Sequence, residues 1–174
     1  MNKFLIILSI VATSLLLQVN IYGNNQAKEL YFSIDLKKNV GSTTWIYIQK
    51  GFEEARKANA NIIIIEMNTY GGEVSFADSI RTKILNSDIP VIVFIDNNAA
   101  SAGALISIAC DKIYMSQAAT IGAASVVDQT GQKLPDKYQS YMRATMRATA
   151  EAHGKDTVVT GNDTVVKWKR DPLI

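Results

Sequence analysis

The stretch NIIIIEMNTYGGEV, residues 61–74, decides the fold. Ile62 to Ile65 form an unbroken apolar run, the signature of a parallel strand covered on both faces. Gly71 and Gly72 then break the chain, and residues 73–87 (EVSFADSIRTKILNS) place Val74, Phe76, Ala77, Ile80 and Ile84 inward at helical spacing. A buried strand that turns through glycine into an amphipathic helix is the first part of a βαβ unit.

The same alternation continues on both sides. Upstream, ELYFSIDL (29–36) reads as a strand. Residues 40–58 read as a helix capped by Ser42 or Thr43, with Trp45, Ile48, Phe52 and Ala55 as its apolar stripe. Downstream, PVIVFID (90–96) is a second buried strand, SAGALISIAC (101–110) a short helix and KIYMS (112–116) a short strand. Residues 139–154 form a closing helix with Gly154 at its end. The expected class is α/β with a mostly parallel sheet.

The composition bounds the function. The chain has 174 residues, 48% of them apolar and 20% charged, which is globular and sufficient for one domain with a real core. A net charge of +2 with no run of like charges argues against a nucleic-acid partner. One cysteine excludes an intramolecular disulfide, and Cys110 reads as a buried small hydrophobe. One cysteine and one histidine leave little for a zinc site, and no metal or cofactor is expected. Residues 1–23 carry Lys3 and then a mostly apolar run to Val19, short for a membrane span of about 20 residues. They read as a secretory signal or an N-terminal anchor, so the domain is expected in the cell envelope. Residues 24–29 read as a linker, and residues 157–174 stay unassigned, as in a truncated chain.

Two strand-to-helix junctions carry chemistry. In MNTYGGEV, the glycines lie at the carboxyl end of a buried strand, where open α/β sheets place ligands. A free N–H there can face developing negative charge, although a plain tight turn has the same sequence. In NNAASAGALISIACDKIYM (97–115), small residues surround Ser101 as in a nucleophile elbow, with alanine at its first place. The N–H of Ala102 would lie beside that serine. A serine hydroxyl needs a base. His153 reads as a helix-end histidine, so a desolvated lysine is the remaining candidate. Lys112 belongs at the surface, and the residues alone leave Lys133 and Lys137 open.

NTYGGEV, PVIVFIDNNAASAGALISIACDKIYM, ATIGAASVV and PDKYQSYMRATMRATAEAHGKD, taken in that order, resemble the N-terminal domain of NfeD-type membrane-bound serine proteases. These are relatives of ClpP and signal peptide peptidase A. The resemblance covers residues 30–156 and implies a ClpP/crotonase-like spiral of ββα units. It implies an endopeptidase using a Ser-Lys dyad, with Ser101 as nucleophile, Lys137 as base, and Gly72 and Ala102 supplying the oxyanion hole. Some family members carry the dyad lysine where Arg147 stands; arginine stays protonated and cannot be the base. The histidine that ClpP places near Ser125 and Val126 is absent. Family substrates are apolar peptide segments and partners are stomatin-like membrane proteins, usually with a dimer or larger homo-oligomer of the protease.

Around the glycine turn, Tyr70, Gly71 and Val74 are candidate substrate-binding residues, with Met67 and Phe76 equally readable as core. Two other functions share the pattern. A crotonase-like acyl-CoA enzyme uses two N–H groups without a serine nucleophile, which an exported protein has no use for. A non-catalytic module gripping apolar peptides or a membrane partner is the other.

Overall fold

A computed structural model describes residues 29–152, 156–160 and 163–167. The expected leader, nearly all of the linker, His153 and Gly154 lie outside the described residues.

Four parallel strands form the sheet in the order β1 (Tyr31–Leu36), β2 (Ile62–Thr69), β3 (Val91–Ala100) and β4 (Lys112–Met115). A fifth, β5 (Thr120–Gly122), pairs with the far half of β3, Ala99 opposite Ile121. The helices are α1 (Ser42–Lys57), α2 (Val74–Leu85), α3 (Ala102–Ile108) and α4 (Asp136–Ala152). Strands β6 (Asp156–Thr160) and β7 (Asp163–Lys167) form an antiparallel pair beside α4. The expected α/β class with a parallel sheet is the observed one.

Register explains where the core lies. Ile34 pairs with Ile65 and Leu36 with Met67, while Ile65 pairs with Val93 and Met67 with Ile95. All of these side chains are buried on one face, where Ile48 and Phe52 of α1, Ile80 of α2 and Leu105 of α3 join them. Each such side chain contributes roughly 1.5–3 kcal/mol by leaving water. Gly51 lets α1 approach β1: a methyl there would meet the Ile34 side chain at 2.5 Å.

Four local expectations need correction. The opposite face of β2 is only half-buried, because Ile62 and Ile64 lie level with the exposed Tyr31 and Ser33. The apolar run therefore reflects one covered face and one partly covered one. Neither Ser42 nor Thr43 caps α1: Gly41 holds the N-cap position, and the buried Thr44 hydroxyl donates to the Asn39 carbonyl at 2.6 Å. Val74 is exposed rather than inward, since the chain enters α2 from the glycine turn at the carboxyl end of the sheet. Strand β3 does not stop at Asp96 but runs to Ala100, because Asn98 and Ala99 find partners in β5. In addition, α4 begins at Asp136, three residues earlier than its apolar pattern begins.

Candidate active site

The site is built where β2 and β3 end side by side. At the end of β2 the buried Thr69 hydroxyl donates to the Lys38 carbonyl at 2.8 Å and accepts the Gly71 N–H at 3.1 Å. The Gly71 carbonyl then accepts the Val40 N–H at 2.8 Å, and the Val40 carbonyl accepts the Glu73 N–H at 2.9 Å. The turn is thus pinned to the loop before α1. Both glycines are required. Gly72 has φ +155° and a side chain there would overlap the Val40 backbone, whereas Gly71 has φ +113° and faces Ser101.

At the end of β3, Ser101 sits at φ +54°, ψ −113°, an unusual conformation for a residue with a side chain. Two contacts hold it there. Its N–H donates to the Gly122 carbonyl of β5 at 2.7 Å, and its own carbonyl accepts the Ala104 N–H at 3.0 Å. The helix that follows is entirely buried, from Ala102 to Ile108, so small residues are needed for it to fit beneath the turn. A methyl on Gly103 would meet Thr69 Cγ2 at 2.7 Å. Among the described residues, neither the Gly72 N–H nor the Ala102 N–H finds a protein acceptor. Both groups line the same small crevice as Ser101, a space of about 50 Å³ closed by Val74, Val126 and Met142.

A wider groove of about 640 Å³ opens beside the crevice and shares Val74, Val126, Val127 and Met142 with it. Lys137, Tyr138 and Tyr141 of α4 form its far wall. Lys137 is exposed, and its Nζ lies 4.9 Å from the centre of the Tyr138 ring. Lys133 is exposed, pairs with Val127 along the backbone, and lines neither space. Lys112 starts β4 and is likewise exposed, away from both. Of the apolar residues around the glycine turn, Met67 is fully buried and Phe76 packs on the core, while Tyr70 and Val74 are exposed. No cluster of metal-ligating side chains occurs among the described residues.

A hairpin spanning residues 126–134 was not read from sequence. The Leu134 N–H donates to the Val126 carbonyl at 3.0 Å and the Asp128 N–H to the Gln132 carbonyl at 2.9 Å. Its tip is closed by the Asp128 carboxylate, which accepts the Thr130 hydroxyl and the Thr130 and Gln132 amides. Those donors hold the Asp128 carboxyl below its usual range, the Thr130 hydroxyl most of all.

A parallel sheet ending in a glycine turn and a strained serine turn defines the ClpP-like class of α/β folds. Within it, the chain belongs to the family of the NfeD1b N-terminal domain, whose profile matches residues 30–162. It is 34% identical over 129 residues to the membrane protein NfeD1b of Bacillus subtilis, covering 74% of this chain and 30% of that protein. It is 29% identical over 141 residues to the membrane-bound protease PH1510 of Pyrococcus horikoshii, covering 76% of this chain and 32% of the relative. The chain therefore spans less than a third of the length of either relative. Among solved structures, a serine-to-alanine mutant of the 1510-N membrane-bound stomatin-specific protease superposes with a TM-score of 0.70 at 29% identity, over 75% of this chain and 67% of that one. A lysine-to-alanine mutant of the same protease, in complex with a substrate peptide, gives 0.68 at 29% identity over 72% and 61%. ClpP1 of Listeria monocytogenes, at 14% identity and 0.51 over 75% of this chain and 83% of that one, shares the fold.

Proposed function

We propose that the chain is a serine peptidase domain in which Ser101 is the nucleophile and Lys137 its base. The observation that carries this reading is the strained Ser101 turn, set beside two N–H groups that no acceptor among the described residues claims. Lys137 takes the hydroxyl proton as Ser101 Oγ attacks a peptide carbonyl. The Gly72 and Ala102 N–H groups receive the oxyanion, about 3 kcal/mol of transition-state stabilisation from each. Lys137 then protonates the leaving amine, and water releases the acyl group. A neutral lysine requires desolvation, which an apolar peptide lying in the groove supplies. The groove walls, Val74, Val127, Tyr138 and Tyr141, suit an apolar segment. Tyr70, exposed beside the buried Gly71, extends that surface.

The relative captured with a substrate peptide after loss of a lysine supports a lysine-dependent reaction. The relatives' names support membrane association and a stomatin-like protein as substrate. No described helix is long and apolar enough to cross a membrane; residues 1–23 are the proposed point of attachment. A homo-oligomer completes the proposal.

Fluorophosphonate labelling of the full chain tests this reading. Labelling lost in both Ser101→Ala and Lys137→Ala supports the dyad; loss in Ser101→Ala and Lys133→Ala instead transfers the base to Lys133. A second reading, a non-catalytic peptide-binding module, is favoured by one observation: Lys137 rests over Tyr138 and does not line the serine crevice. A folded chain that binds apolar peptide and never labels would establish it.

A further inference from the structure

The groove beside Ser101 has two walls made by different parts of the chain. One is the 126–134 hairpin, carrying Val126, Val127 and Leu134; the other is α4, carrying Lys137, Tyr138 and Met142. Among the described residues, the only side chain that hydrogen-bonds from α4 to the hairpin is Gln139. It is 5% exposed. Its Oε1 accepts the Val126 N–H at 3.0 Å, and its Nε2 donates to the Val126 carbonyl at 2.6 Å and to the Leu134 carbonyl at 3.1 Å. The amide thus caps the open end of the hairpin, where both hairpin arms enter and leave. An amide offers both donor and acceptor, and this site uses both. Among the described residues, no other group accepts the Val126 N–H.

We propose that Gln139 is a positioning residue that sets the width of the groove, and with it the affinity for an apolar peptide, by clamping Val126 and Leu134 to α4. The inference rests on the reading of the groove as a peptide site. Lys137 and Met142 lie two residues before and three after Gln139 on the same helix, so the clamp fixes the serine crevice and the lysine relative to one hairpin. Widening the groove loosens peptide contacts and leaves Ser101 and the oxyanion N–H groups in place, because those are held by β2, β3 and β5.

The test exploits a carboxyl in place of the amide. In Gln139→Glu, the protonated acid still accepts the Val126 N–H and donates to one carbonyl. The ionised form only accepts, and faces two carbonyl oxygens. Burial and those oxygens push such a carboxyl above its ordinary pKa of about 4.3. The charged groups on the two elements around it are Asp128 and Lys133 on the hairpin and Asp136, Lys137, Arg143, Arg147 and Glu151 on α4, all exposed or half-exposed; α3 carries none.

The affinity of a fluorescent leucine- and valine-rich peptide is measured for the full chain in the Ser101→Ala background, with Gln139, Gln139→Glu or Gln139→Leu. Gln139→Glu should bind like the parent near about pH 5 and about tenfold more weakly near about pH 8. Gln139→Leu should bind weakly at both. Equal affinity of Gln139→Glu at both pH values overturns the proposal. So does weakening at both pH values alongside a lower Tm, which would mark a merely structural amide. Failure of the peptidase reading shows separately, as absent labelling of Ser101 in the unmutated chain, and leaves the affinity comparison standing.

Discussion

Gly71→Ala places a methyl between the two junctions and tests whether they act as one site. The added carbon would stand 2.7 Å from Ser101 Cβ, 3.1 Å from the Ala100 carbonyl oxygen and 3.2 Å from Ser101 Oγ. Carbon atoms pack at about 3.5–4.0 Å, so the serine turn or the glycine turn must retreat by roughly 1 Å. A displacement of that size at a nucleophile costs about 10²-fold in rate. The left-handed φ of +113° adds roughly 1–2 kcal/mol of backbone strain, and moving the turn strains the Val40–Gly71 hydrogen bond. The expected outcome is kcat/KM for an apolar peptide down about 10²-fold, with Tm lower by about 2–8 °C, since 1 kcal/mol corresponds to roughly 2–4 °C in a chain this size. Gly131→Ala is the control: φ there is +83° and nothing lies within 4 Å, so it should cost stability alone. A folded Gly71→Ala chain that labels at the unmutated rate would refute the coupling of the two turns.

Thr69→Val strips the hydroxyl from the Gly71 N–H and the Lys38 carbonyl and should destabilise by about 1–3 kcal/mol, while Thr69→Ser keeps both bonds; thermal melts and Ser101 labelling check this. Lys137→Ala should abolish labelling of Ser101 and Lys133→Ala should leave it intact, read in parallel by gel fluorescence. At the sheet's outer face, the Lys37 ammonium and then the Ser33 hydroxyl hold the Glu66 carboxyl below its usual range. A depressed carboxylate stabilises the fold above its unfolded pKa of about 4.3 and loses that contribution as pH falls through its folded value. The Tm difference between Lys37→Met and the unmutated chain should therefore be present at neutral pH and shrink below about pH 4; a constant difference contradicts it. Thr149→Val deprives Arg81 Nε of its 2.6 Å acceptor between α2 and α4 and should cost about 1–2 kcal/mol by denaturant melt.

Periodicity carried the fold because the sheet's inner face is written in local runs. Ile63, Ile65, Val91 and Val93 are buried within the apolar runs that marked β2 and β3. The glycine pair and the small residues around Ser101 were legible for a related reason: tight turns admit few residue types. Where the reading failed, the determinant was a partner that local periodicity does not register. The strand through Asn97 and Asn98 looks like a loop until β5 arrives to pair with it. Thr44 looks like a neighbour of a cap until its hydroxyl turns back to Asn39. Gln139 looks like any polar residue on an amphipathic helix, since its partners lie at Val126 and Leu134, beyond the reach of a helical period. Val74 keeps helical spacing yet faces the crevice, because periodicity registers apolar character and not whether core or ligand covers it.

The backbone at Ser101 lies close to the ideal first corner of a type II′ turn, φ about +60° and ψ about −120°, a place where glycine is at ease and serine is not. Ser101→Gly would then remove the proposed nucleophile and leave the chain about 1 kcal/mol more stable. Mutation and selection for robustness would push this codon the same way, away from serine. If the proposed function holds, a lineage that keeps serine there keeps it for its hydroxyl, and one released from that demand gains thermodynamically by giving it up.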